Sequence, residues 1–437
     1  MSKTKAKAEN KERFEEIKNV PYPLPEGWKW VRLGEIIKFG MGKTPKRSEK
    51  KYWENGKYYW VSISDMQNKY IKTTKEKVSQ RAFDEIFRGK LIPKGTLLMS
   101  FKLTIGRTAI LDIPAFHNEA IIHIFLEENI YRDYLYWILP TLDYSKYLNT
   151  AIKGKTLNKE ILKNLLIPLP FKNNQPDLEK QKQIVEKIET IFKEIDKAIT
   201  IRQKALEKTK ELFESVLNKI FKEAEEDKDN WKWLKLGEIA KKIKAGGTPS
   251  TKIKEYWASN GFVDYKNTYP WLDINKNDFE NMFISSYRKI ITREGFENSN
   301  TWLVPPNSLL ITIGGSLGLV GINKISITTN QNILAVVLKD KIYVKYVAFY
   351  LKFKYPLWLK NMEGYKNLSK REEIKRLIPI PIKNNQPDLE KQKQIAAYLD
   401  NLHNKIKQLE ELQQIQLEKF KQLKESILNK AFRGELV

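Results

Sequence analysis

Lys172-Asn173-Asn174-Gln175-Pro176-Asp177-Leu178-Glu179-Lys180-Gln181-Lys182-Gln183-Ile184 is repeated without a change at residues 383–395, an offset of 211. The same offset relates ESVLNKIF at 214–221 to ESILNKAF at 425–432. Two halves this similar imply one structural unit used twice, and that decides the fold before any single element is considered.

Outward from these anchors, the halves match in order but not in spacing. WKWVRLGEI at 28–36 corresponds to WKWLKLGEI at 231–239, and Tyr52-Trp53 to Tyr256-Trp257. Gly42-Lys43-Thr44-Pro45 corresponds less closely to Gly247-Thr248-Pro249. Residues 93–106 align with 305–318, Asn118 with Asn330, Tyr134 with Tyr346, Leu157 with Leu368, and IPLP at 167–170 with IPIP at 378–381. The offset drifts from 203 to 212 and returns to 211. Each half is thus a variable part, with insertions where loops carry them, followed by a part of constrained length.

The variable parts read as mixed β and α. Segments 58–64, 96–101, 120–126, 309–313 and 333–338 are rich in β-branched and aromatic residues between Gly, Pro or Asn. Segments 131–139 and 343–353 read as helices. The constrained parts read as long helices, with Pro176 and Pro387 suited to a first helical position and Asp177, Glu179, Asp388 and Glu390 as first-turn acids. A 4-3 spacing runs Ile184, Ile188, Ile191, Ile195, Ala198, Arg202, Ala205, Thr209, Leu212, Val216. Its second copy runs Ile395, Leu399, Leu402, Ile406, Leu409, Gln413, Gln416, Phe420, Leu423, Ile427. This is coiled-coil spacing, and about 48 residues of helix would reach roughly 70 Å, too long for one small domain to cover. The expected fold is α+β: two similar mixed α/β domains joined by two long helices in an antiparallel coiled coil, a pseudo-twofold internal repeat. The expected boundaries are an arm at 1–27, domains at 28–172 and 227–383, and helices at 173–226 and 384–437.

Lys and Arg number 78 against 53 Asp and Glu, a net charge of +25, which points to an anionic partner. Cysteine is absent and there are three histidines, which excludes disulfides and argues against thiolate or histidine-rich metal sites. The first residues have no apolar core and no stretch approaches a membrane span, so a soluble cytoplasmic protein is expected. Abundant Lys and Glu without Cys is compatible with a thermophile.

No catalytic motif emerges. Gly40-Met41-Gly42-Lys43-Thr44 resembles the end of a phosphate-binding loop, but the earlier glycine that motif requires is Ile37. The paired Pro-Asp steps lie at helix starts, where capping explains the acids, and neither H-E-x-x-H nor G-x-S-x-G occurs. There is no amino-methyltransferase Asn/Asp-Pro-Pro-Tyr signature either. What remains is basic and amide or hydroxyl residues on loops, the types that contact phosphates and base edges. In the first half these are Lys43, Thr44, Lys46, Arg47, Ser62, Ser64, Asp65, Gln67, Asn68, Lys102, Thr104, Arg107, Lys153 and Lys155. In the second they are Thr248, Ser250, Thr251, Lys252, Asp273, Asn275, Lys276, Asn277, Tyr365, Lys366 and Asn367. Trp30, Trp60, Trp233 and Trp271 read as core anchors rather than stacking platforms.

The order of WKWVRLGEI, G-x-T-P, IPLP and QPDLEKQKQI, repeated and closed by ESILNKAFRGEL, resembles the specificity subunits of type I restriction-modification systems. That resemblance covers the chain from about residue 21. It implies two target-recognition domains that read the halves of a split double-stranded DNA sequence, with antiparallel helices as spacer and dock for two methyltransferase subunits. Restriction (motor-nuclease) subunits would join the complex. It implies no cofactor on this chain, with S-adenosylmethionine on the methyltransferase and ATP and Mg on the restriction subunit. On the exact repeat, Gln175, Asp177, Lys180, Gln183, Gln386, Asp388, Lys391 and Gln394 are the docking candidates. Read without the resemblance, a self-sufficient methyltransferase or nuclease with an unrecognised site, or a non-specific coiled-coil adaptor, stays open.

Overall fold

The two copies of the repeat each make a hairpin and the first turn of a helix. In the computed structural model, which describes residues 14, 17–147, 157–258, 261–280, 282–360 and 367–436 (Lys210 by backbone only), Lys172 pairs with Gln175 across Asn173 and Asn174. Both asparagines have positive φ, 51° and 62°, as a two-residue turn of mirror-image type requires. Asn384 and Asn385 repeat the turn at 52° and 59°. The helices run Leu178–Glu226 and Leu389–Phe432. One reading is corrected here. Pro176 and Pro387 are paired in short strands, not in the first helical turn. Asp177 and Asp388 are the caps, each carboxylate accepting from the backbone N–H three residues on (2.9 Å to Lys180 and Lys391).

The proline-rich strands have a physical reason. Leu166–Lys172 pairs antiparallel with Trp28–Arg32, placing Pro168 opposite Trp30 and Pro170 opposite Trp28. At these two positions the backbone faces away from that partner, so the missing N–H costs no sheet hydrogen bond. The carbonyls on that side are used: Tyr134 Oη donates to Pro168 (2.7 Å) and the Asp177 N–H donates to Pro170 (2.8 Å). In the second half Tyr346 donates to Pro379, and Asp388 to Pro381 at 2.8 Å.

Contacts divide the chain into two compact units, one from 1–202 with 415–437 and one from 203–414. Both boundaries cut through the long helices. In the first unit Ile184, Ile188 and Phe192 share a core with Phe432, Ala431 and Ile427, while Asp196 meets Lys424 at 2.6 Å. In the second, Leu217, Phe221 and Ala224 share a core with Leu399, Ala396 and Ile395, and the Phe213 ring lies 5.6 Å from His403. Within each unit, rising numbers on one helix meet falling numbers on the other, which is antiparallel packing.

Each unit builds its sheets in the same order. In the first, the strands Ile37–Met41, Ile121–Leu126, Leu97–Ser100, Thr108–Leu111 and Tyr70–Ile71 form a five-stranded sheet. In the second, Ala240–Ala245, Ile333–Leu338, Leu309–Thr312, Val320–Asn323 and Phe283–Ile284 do the same. A smaller sheet centred on Tyr58–Val61 or Thr268–Leu272 stands beside each. The helix expected at 343–353 extends over Val344–Lys360, past Pro356. Several seam positions of the long helices prove open, Leu212 being 53% and Leu409 47% exposed.

Gln181, fully buried, ties helix to domain. Its Oε1 accepts from the Tyr131 N–H (2.9 Å) and its Nε2 donates to the carbonyls of Asn129 (3.0 Å) and Asp177 (3.1 Å). Gln392 does the same with Tyr343 and Lys341. Gln181→Leu or Gln392→Leu strands a donor and an acceptor, so each should cost about 1–3 kcal/mol. Denaturant unfolding reads this directly; two variants as stable as the parent would refute the role given to these glutamines.

Candidate nucleic-acid interface

In the first unit six chain segments converge on one edge of the sheets. The Gly42 N–H donates to Ile121 (3.2 Å), Lys43 to His117 (3.0 Å), Asn118 to Val61 (3.0 Å), and Phe101 to Ala120 (2.9 Å). Leu157 donates to Phe101 (3.0 Å), and Arg107 Nη1 reaches the Ile63 carbonyl at 3.5 Å. A side chain on Gly42 would collide with the carbonyls of His117 and Asn118, so only glycine lets these segments meet. This edge gathers Lys43, Thr44, Ser62, Ser64, Asp65, Lys102, Thr104 and Arg107. Thr44 donates to Glu119. Asp65 Oδ2 accepts from the Ser62 N–H (2.8 Å) and hydroxyl (2.7 Å), folding 62–65 into a tight turn beside exposed Gln67 and Asn68.

Lys46 and Arg47 sit farther along a loop that tryptophans hold. Trp60 Nε1 donates to the Lys43 carbonyl (3.0 Å) and Trp53 Nε1 to Lys46 (3.2 Å), with the rings edge-on at 5.1 Å. The second unit repeats the clamp: Trp271 to Gly247 (3.0 Å), Trp257 to Ser250 (3.2 Å), rings at 5.1 Å. Thr248 donates to Gln331, the counterpart of Thr44 and Glu119. A clamped loop presents its polar groups without paying ordering entropy on binding.

The charge on the clamp differs between the halves. Arg47 lies over Trp53 (4.0 Å) and Trp60 (4.9 Å) and is held by Glu76, with Nη2 at 3.0 Å from Oε2. Glu76 pairs with Trp60 across the sheet, and the residue paired with Trp271 in that way is Lys289. Lys289 lies over Trp257 at 5.0 Å and Trp271 at 5.7 Å. The Arg47 position holds exposed Thr251, beside exposed Ser250 and Lys252.

The second unit brings Thr248, Asp273 and Asn367 to the corresponding edge: Gly247 N–H donates to Thr329 (2.8 Å), Asn330 to Leu272 (3.0 Å), and Asn367 bridges Gly314. Asn275 accepts from the Asn277 N–H (2.9 Å) and opens a short helix at Lys276–Glu280. Lys153, Lys155, Tyr365 and Lys366 lie outside the described residues. Sequence reading passed over Glu119, Gln331, Trp53, Trp257, Lys289 and Arg288, the last facing Asp273 (3.6 Å) and Asp278 (3.2 Å). The aligned Tyr-Trp pairs at 52–53 and 256–257 were the available signal for the two clamp tryptophans. Trp60 and Trp271 are indeed buried, at 1% and 4% exposure.

On the repeat itself, Gln175, Gln183, Gln386, Lys391 and Gln394 are exposed, while Asp177, Lys180 and Asp388 are half-buried around the caps. A further recurrence lies on the helix faces. Ile201 and Leu212 are 66% and 53% exposed, three turns apart, and their counterparts at the 211 offset, Leu412 and Leu423, are 56% and 45% exposed. Among the described residues no group of acids or histidines could hold a metal ion, and no helix is long and apolar enough to cross a membrane.

The family profile described as type I restriction modification DNA specificity domain matches twice, at residues 25–206 and 228–419. The chain belongs to that family. It is similar to the specificity subunit of type I restriction enzyme MjaIX of Methanocaldococcus jannaschii, 28% identical over 279 residues, 59% of this chain and 62% of that one. It is also similar to the EcoR124I/EcoR124II specificity subunit of Escherichia coli, 27% identical over 195 residues, 42% of this chain and 47% of that one. These matches span less than two-thirds of either relative. Two solved structures share the fold. A chain from a study of complex assembly and conformational transition of the type I R-M system superposes with TM-score 0.75 (22% identity, 95% of this chain, 100% of that one). The HsdS subunit from Thermoanaerobacter tengcongensis superposes with TM-score 0.60 (22% identity, 96% and 100%).

Beneath the first edge lies a histidine pair that the second unit replaces with Thr329 and Ala335. His117 Nδ1 donates to the Asn118 carbonyl (3.2 Å), leaving Nε2 to accept from His123 Nδ1 at 2.8 Å. Burial, reinforced by His123, pushes the His117 pKa down to about 3. Folding therefore favours the neutral ring. Stability is complete above the unfolded value near 6.5 and is lost as pH falls toward 3, by about 1.4 kcal/mol per pH unit. Denaturant unfolding of the first unit between pH 7 and pH 4 should show this slope, and His117→Thr should flatten it; equal slopes in both proteins would refute the assignment.

Proposed function

We propose that this chain is the non-catalytic recognition subunit of a type I restriction-modification enzyme. Its domains at 28–172 and 227–383 each read one half of a bipartite target in double-stranded DNA. The loop edges supply the reading groups: Lys43, Thr44, Ser62, Ser64, Asp65, Lys102, Thr104 and Arg107 in one domain, Thr248, Asp273 and Asn367 in the other. The helices at 173–226 and 384–437 hold two methyltransferase subunits, through which restriction subunits join. S-adenosylmethionine belongs to the methyltransferase and ATP and Mg to the restriction subunit.

The observation that carries this reading is one architecture used twice, with helices of constrained length that begin and end on repeated sequence, and with diverged loop edges. Constant surfaces suit two copies of one partner; different edges suit two different half-sites. Similar domains related by a pseudo-twofold read one face of the duplex when their half-sites lie about a helical turn apart, roughly 34–36 Å. The net charge of +25 favours the phosphate contacts that dominate affinity. Beside the hairpin candidates Gln175, Lys180, Gln183, Gln386, Lys391 and Gln394, exposed apolar residues of the long helices recur at the 211 offset, Ile201 as Leu412 and Leu212 as Leu423, which suits a partner bound in duplicate.

Replacing residues 42–167 with the equivalent segment of a relative should change one half of the methylated sequence and leave the other intact. Genomic methylation mapping decides: both halves changing, or neither, would sink the modular reading. Ile201→Ser together with Leu412→Ser should weaken co-purification of the methyltransferase subunit at least about tenfold while the helical content stays the same. Undiminished binding would remove these faces from the dock.

A further inference from the structure

The hairpin that joins Leu97–Ser100 to Thr108–Leu111 is rebuilt in the second domain bond for bond, except at its tip. In the first, Gly106 N–H donates to Ser100 (2.9 Å), Ser100 N–H to Arg107 (2.9 Å), and the Ser100 hydroxyl to the Thr104 carbonyl. In the second, Gly318 donates to Thr312 (2.9 Å), Thr312 to Leu319 (2.9 Å), and the Thr312 hydroxyl to Ser316. The closing glycines, Gly106 and Gly318, have φ of 82° and 73°. Within this shared frame the second tip is Gly314-Gly315-Ser316, and the first is Lys102-Leu103-Thr104.

Gly315 has φ of 72°, which glycine adopts freely. Leu103 holds φ of 62° in the same place, a conformation in which its Cβ crowds the backbone. The strained side chain gains no cover: it is 73% exposed, the most exposed large apolar residue described in the first unit. Strain at an exposed tip, between Lys102 and Arg107, points to a function rather than to packing. Apolar side chains of this kind enter duplex DNA by parting a base step, the flanking cations holding the phosphates.

We propose that Leu103 is a wedge that unstacks one base step of the first half-site, a device the second domain lacks because Gly315 stands there. The inference rests on the DNA-recognition reading above and adds a mechanism that distinguishes the two half-sites. The first half-site is read partly through how easily one step unstacks, most easily at a flexible pyrimidine–purine step. The second is read without such a wedge.

The test uses Leu103→Gly, which installs the counterpart residue, relieves the strained φ and leaves every charge in place. Full chain assembled with its methyltransferase subunit is titrated onto duplexes carrying the mapped target, with 2-aminopurine placed in turn at positions of each half-site. Apart from the target base that each methyltransferase subunit flips out of the stack, the parent should brighten the probe at one further step of the first half-site and at none of the second. Leu103→Gly should abolish that further brightening and bind roughly tenfold more weakly. Its salt dependence should be unchanged, because no phosphate contact is lost, and its melting temperature should be no lower. Equal affinity and equal brightening in the variant would overturn the wedge while leaving sequence recognition intact. A parent with no preference for the mapped target would overturn the recognition reading itself.

Discussion

Everything else in this chain depends on the join between each globular domain and its long helix. A helix about 70 Å long is useful as a frame only if the domain at its start cannot swivel on it. Three local devices prevent that. The Asn-Asn turn reverses the proline-bearing strand, the aspartate caps the helix while its own N–H is held by Pro170 or Pro381, and the buried glutamine reaches from the first turn into the domain. Each device needs a particular residue: a short amide that tolerates positive φ, a carboxylate at the cap, and a group offering donor and acceptor together. The identity of the thirteen residues therefore has an internal cause as well as the external one proposed for it.

This bears on how much was legible beforehand. The duplicated architecture, the long helices, the main strands and the core role of Trp60 and Trp271 followed from repeat spacing and periodicity. The role of Gln181 did not, because a glutamine in a Lys- and Gln-rich helix reads as surface until Asn129 and Tyr131, some 50 residues away, are brought against it. The position of Pro176 was misread for a similar reason. Proline suits a first helical turn, but pairing with Phe171 draws it into a strand one residue before the cap. Heptad spacing likewise named Leu212 and Leu409 as seam residues, since periodicity reports a face and not what covers it.

The candidate edge was legible in part. Residue types on loops named the candidate stretches, but whether stretches far apart in sequence meet is a matter of topology. Lys43, Ser62, Arg107 and Asn118 converge because parallel pairing of Trp60-Val61 with Phe116-His117 brings two loops to one sheet end. Nothing in local sequence announces such a pairing. Nor could the sequence assign the clamp cation, which comes from Arg47 in one half and from Lys289, on a different element, in the other.

That exchange shows how the domains diverge without losing their frame. The tryptophan pair and its two indole–carbonyl bonds are kept, so the loop stays where it is. The charge above the pair then changes from an Arg47–Glu76 ion pair to a lysine with no ion pair among the described residues. A guanidinium already engaged by a carboxylate must give up that partner before it can engage a phosphate, whereas the ammonium of Lys289 has no such competitor. The same separation governs the hairpin at Leu103 and Gly315 and the histidines that Thr329 and Ala335 replace. In each case the backbone hydrogen bonds are common to both halves and the variation is confined to side chains at or just beneath the edge. A fold built this way can alter what one edge contacts while the join, the clamp and the other domain stay as they are.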